Sequence, residues 1–132
     1  MNEFKYGFGK AVDMTFDAAV ERVIEALQTE GFGVLSDIDV AATLKKKLDE
    51  DMPPYRILGA CNPPLAHRAL LNEPSIGLLL PCNVVVRQDA GGSVHVEMMD
   101  PAAVLDLVGN QDVNDLAVEV RSRLERVLAA LS

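Results

Sequence analysis

Apolar residues recur in two rhythms along this chain, and the rhythm changes at residues that punctuate helices and turns. Phe4, Tyr6 and Phe8 alternate with polar or small neighbours. The segment Phe4 to Val12 therefore reads as a first strand, interrupted by Gly7 and Gly9, whose role is to let it bend. From Thr15, a candidate N-cap, the spacing lengthens. Phe16, Val20, Val23 and Leu27 share one helical face, Ala19 and Ile24 widen it, and Gly31 stands at the C′ position that ends the helix. Phe32 to Ile38 is strand-like. Asp39 then caps a short helix from Val40 to about Leu48, broken by Met52-Pro53-Pro54.

Tyr55 to Ala60 returns to strand. Asn62-Pro63-Pro64 opens a third helix to about Leu71, with Pro63 at the first helical position, where a missing N–H costs nothing. The apolar run Leu78 to Arg87 predicts a strand in which Pro81 forces a bulge, a bend or an edge. Asp89-Ala90-Gly91-Gly92 is a turn. Ser93 to Met98 alternates cleanly, so these two runs form an antiparallel hairpin with Val94, Val96 and Met98 on the core face. Asp100-Pro101 starts a short helical piece through Leu107, closed by Gly109-Asn110. A last helix, capped near Asp112, carries a stripe of Val113, Leu116, Ala117, Val120, Leu124, Val127, Leu128 and Leu131. Hairpin-linked strands with inserted helices predict an α+β fold: a mainly antiparallel sheet with helices mainly on one face.

Composition narrows the function classes. The 132 residues suit one domain, 49% hydrophobic and 24% charged. A formal net charge of −8 repels phosphate backbones and argues against nucleic acid. The one basic run, Lys45-Lys46-Lys47, is followed by Asp49, Glu50 and Asp51 and reads as a solvated helix face. The start lacks the basic and apolar regions of a signal peptide and no run spans a bilayer, so the expectation is a cytoplasmic protein with no membrane role. Two cysteines fit reduced thiols, and no spacing matches a zinc site. Phosphate loop, dinucleotide fingerprint, nucleophile elbow and metalloprotease helix are all missing, so no cofactor is identified.

What patterning does not absorb is a repeated dipeptide, Cys61-Asn62 and Cys82-Asn83. The first lies where a strand passes into a helix, whose N-terminus favours thiolate and attracts anions. If the two strands pair, both steps meet in one region. The plainer alternative is that a free cysteine packs as a small hydrophobe and Asn62 is an N-cap. Asn83, an amide inside an apolar strand, must face solvent or find partners. Asp37 and Asp39 flank Ile38 and point the same way, within reach of Lys46, as a candidate acid/base or cation site or as a capped, solvated turn. His67 on the third helix is placed to approach Cys61 as a Cys/His pair. His95, beside Glu97, points outward.

A resemblance adds to these readings. Gly31-Phe32-Gly33-Val34-Leu35, Asp37-Ile38-Asp39-Val40, Thr43-Leu44-Lys45, Tyr55-Arg56-Ile57-Leu58-Gly59-Ala60-Cys61-Asn62-Pro63, Gly77-Leu78-Leu79-Leu80-Pro81-Cys82-Asn83-Val84 and Asp100-Pro101 run in an order that resembles the DUF302 family of small bacterial and archaeal proteins. The resemblance implies a fold related to the TATA-binding-protein-like class, with a curved antiparallel sheet and a tendency to form homodimers. It implies no catalytic residues, because the family's function is unknown. Three functional expectations follow. The first is a homodimeric protein that binds a small, anionic or thiol-reactive molecule near the Cys-Asn pairs. The second is a thiol redox enzyme or sensor using Cys61 and Cys82, and the third a partner-binding module without a pocket.

Overall fold

A computed structural model describes residues Met1–Ser132. Six strands form one antiparallel sheet in the order β1-β2-β6-β5-β4-β3. The strands are β1 (Asn2–Phe4), β2 (Gly7–Val12), β3 (Gly33–Asp39), β4 (Tyr55–Cys61), β5 (Cys82–Gln88) and β6 (Val94–Met99). The helices are α1 (Phe16–Thr29), α2 (Val40–Leu48), α3 (Pro63–Asn72), α4 (Pro101–Val104) and α5 (Gln111–Ala129), with 3-10 turns at Pro74–Leu79 and Leu105–Val108. No helix is long and apolar enough to cross a membrane.

Capping chemistry explains the boundaries. The Thr15 hydroxyl accepts the Ala18 N–H at 3.2 Å and starts α1. Gly31, at φ 85°, ends it. Gly31 N–H donates to the Gln28 carbonyl and Phe32 N–H to the Leu27 carbonyl, the paired bonds of a Schellman motif. Asp39 caps α2 by accepting the Ala42 N–H at 2.9 Å. The cap of α5 is Asn110 rather than Asp112: its side chain accepts the N–H groups of Asp112 and Val113.

Two expected strands change shape. The first divides into β1 and β2, hinged at Lys5-Tyr6. Gly7 and Gly9 serve close packing: a Cβ on Gly9 would lie 2.3 Å from the Val96 carbonyl oxygen of the neighbouring strand. The run from Leu78 is not strand throughout. It begins as a 3-10 turn and β5 starts only after Pro81, which has no N–H to offer a ladder.

Register sorts the side chains. Val94, Val96 and Met98 face the helices with Phe8, Val84, Val86 and Leu58, all at most 4% exposed. This set packs against α1 and the C-terminal half of α5 as one core. A second, smaller core joins Leu65 and Ala69 of α3 to Val113, Leu116 and Ala117 of α5, with Ile76 and Leu105 from the 3-10 turns. Val120 touches both cores. The opposite sheet face carries Tyr55, Asn83, Val85, Arg87, His95, Glu97 and Met99, none of them part of either core, with Val104 of α4 at its edge.

Candidate functional site

The two cores do not merge. Between them, bounded by α3, α5 and residues of β3, β4 and β5, lies a hollow of about 470 Å³. Ala60, Cys61 and Cys82 line it from the sheet, with Pro81 just before β5. Leu65 and Ala69 enter from α3, and Val113, Leu116, Ala117 and Val120 from α5. Its mouth is formed in part by Leu35 and Leu70, which are 72% and 42% exposed. Leu35 gets there because the β3–β4 register slips between Val34 and Ser36, leaving Leu35 as an extra residue. No charged side chain lines the hollow, and 15 of its 19 residues are hydrophobic.

Asn62 is 6% exposed and its side chain is engaged on both ends. Its Oδ1 accepts the Leu65 N–H and its Nδ2 donates to the Glu30 carbonyl, each at 3.4 Å. The Glu30 carbonyl also accepts from Arg123 Nη1 at 3.1 Å, so Asn62 ties the start of α3 to the end of α1. The anion attraction expected of this helix end lacks donors. Pro63 and Pro64 have no N–H, and the next free one, on Leu65, is spent on Asn62.

The cysteines approach each other without a bridge. Cys82 stands opposite Ala60, one residue from Cys61 on the adjacent strand, and both thiols are free. Burial, with a smaller contribution from Cys61, pushes the Cys82 thiol from its ordinary 9.0 up to about 11. At neutral pH Cys82 is a protonated, weakly nucleophilic thiol. A pKa raised by folding stabilises the protein fully below the ordinary value and loses that contribution as pH climbs through the folded value. Stability should thus fall by about 2 to 3 kcal/mol between pH 9 and 11, at about 1.36 kcal/mol per unit. Urea unfolding across that range for wild type and Cys82→Ala checks this. The variant starts lower but lacks this component of the slope, and parallel profiles would contradict it.

The remaining candidates lie elsewhere. Asn83 is exposed on the sheet face away from both cores, opposite Gly59. Asp37 is bonded through both carboxylate oxygens to Arg56, not Lys46, and that guanidinium holds its carboxyl below the ordinary range. Asp39 is occupied as the cap of α2. Diagonal pairing across β3 and β4 selects Arg56, while Lys46 points off a helix with no buried residue. His67 is exposed and does not border the hollow, so the Cys/His pair does not form. His95 bonds Asp89 at 2.8 Å. No group of three or more metal-binding side chains is assembled. Sequence reasoning read Ala117 only as part of a core stripe and did not single out Ala69; both line the hollow, and their small size was the available signal.

Comparison with known proteins agrees with this architecture. No curated protein matches the chain. Among solved structures it is similar to an uncharacterized conserved DUF302 protein from Bacillus stearothermophilus, at 29% identity over 96% of this chain and 98% of that one, with a TM-score of 0.90. The family model described as "Domain of unknown function DUF302" matches residues 8–131, and the chain belongs to that family.

Proposed function

We propose that this protein binds an uncharged, mainly hydrocarbon small molecule in the hollow between its two cores. The observation that carries the reading is an opening of about 470 Å³ with no charged residue in its lining. That volume falls within the ~300–1,000 Å³ of ordinary small-molecule sites. Each methylene transferred into it from water gains about 0.8 kcal/mol. A carboxylate or phosphate would lose its hydration with no cation in the lining to replace it, which favours a neutral ligand over the expected anion. The polar side chains of the lining are Ser36, Asn62, which is already bonded to Leu65 and Glu30, and the two thiols, so recognition rests mainly on shape and apolar area.

A fluorescent fatty alcohol, titrated into wild type and into Ala117→Phe, tests this. Ala117 is 1% exposed and borders the hollow, so a phenyl ring there occupies ligand space. Expected are saturable binding to wild type and a loss of at least about tenfold in the variant, equivalent to about 1.4 kcal/mol. The matching fatty acid should bind no more tightly than the alcohol. At a hundred times its Kd the alcohol should stabilise wild type by about 2.7 kcal/mol. Absence of binding, or equal binding to the variant, would refute the proposal.

A further inference from the structure

We infer that the sheet face away from both cores carries a second and separate binding site, for a flat, uncharged heteroaromatic molecule. A hollow of about 340 Å³ opens there, bordered by Phe4, Tyr6, Tyr55, Asn83 and Met99. Its chemistry is unlike that of the first. The chain has six aromatic residues, four Phe and two Tyr, and three of them gather here, including both tyrosines. Phe4 and Tyr6 are 40% and 69% exposed. Their rings meet edge to face at 5.0 Å, with the Phe4 ring lying over Gly7, which has no side chain of its own. Such rings, with the Met99 thioether beside them, present faces and edges suited to stacking.

Asn83 supplies the polar element. The amides of Asn62, Asn72 and Asn110 are each engaged within the fold. Asn83 makes no such bond and lies exposed in the wall of the hollow, its side chain free to donate and accept along one edge. A primary amide matches the adjacent donor and acceptor of a nitrogen heterocycle, as Asn does with adenine. The one charged side chain in the lining, Glu97, is already paired: Arg87 Nε donates to it at 2.7 Å. With Arg87 engaged and the chain at −8, an anionic group gains nothing here, which selects the neutral ring over its phosphorylated forms.

The chain has no tryptophan, so its intrinsic emission comes from Tyr6 and Tyr55, both at this hollow. Adenine titrated into the protein should quench that emission along a saturable curve and shift the Asn83 side-chain amide resonance. Asn83→Ala and Tyr55→Leu each replace a solvent-facing or half-buried side chain and should raise the adenine Kd about tenfold while leaving the melting temperature near wild type. Ala117→Phe should leave adenine binding unchanged, and an unlabelled fatty alcohol should leave the tyrosines unquenched, which separates this site from the first hollow. The inference is overturned if neither adenine nor free pyrimidines gives a saturable change. It is equally overturned if the emission follows protein concentration without ligand, the result expected were this face the contact between two copies of the chain.

Discussion

Gly9→Ala is expected to lower the unfolding free energy by about 3 kcal/mol or more, although it adds one methyl group to a strand position where alanine normally helps. The added Cβ would lie 2.3 Å from the Val96 carbonyl oxygen and 2.8 Å from the Glu97 Cα. Both are backbone atoms of β6, which is bonded to strands on either side, so neither can rotate away. The clash is relieved only by lifting β2 from β6, which would uncover Phe8, a fully buried residue. Gly33→Ala is the control, because no atom lies within 4 Å of its missing Cβ. It should be neutral or slightly stabilising, by about 0.5 to 1 kcal/mol. Urea denaturation of both variants decides it; a Gly9→Ala midpoint equal to wild type would refute the packing account.

The second large effect is expected at Arg121. Its guanidinium carbon lies 4.2 Å from the centroid of the Phe8 ring, and its three nitrogens meet Asp100 at 2.6 Å, Glu125 at 2.7 Å and Glu3. One side chain thus fastens β1, the start of α4 and α5 over the ring. Glu3 and Glu125 are 59% and 47% exposed, so water and salt screen much of their attraction. Asp100 is only 14% exposed and caps α4, and it would keep a charge with no partner. Arg121→Ala should cost about 3 kcal/mol, and Arg121→Lys should recover less than half, since one ammonium cannot meet three carboxylates while stacking on Phe8. Recovery of full stability by lysine would show that charge alone matters there.

Neither effect can be read from local sequence, and the contrast shows how far that reading extends. Helix limits were legible because they depend on caps within a few residues of the ends they satisfy. Asp39 with α2, Thr15 and Gly31 with α1, and Asn62-Pro63 with α3 all act locally. The core face of β6 was legible because alternation is a property of the strand itself. Errors arose where a distant element set the outcome. Gly7 and Gly9 are close-approach residues because β6 and Phe4 crowd them, and nothing adjacent in the chain records that.

The same division runs through the candidate sites. Sequence alone marked Cys61, Asn62, Cys82 and Asn83 as a group, since residue type and order are local facts. Alternation along β5 already puts Asn83 on the face opposite Cys82; what tertiary structure decided is that the thiols and Asn62 sit at the gap between two cores while Asn83 joins a separate hollow. Tertiary structure also assigned Asp37 to Arg56 and left His67 in solvent. A side chain's partner depends on register and on the bulge at Leu35, and both are settled by packing among residues far apart in the chain.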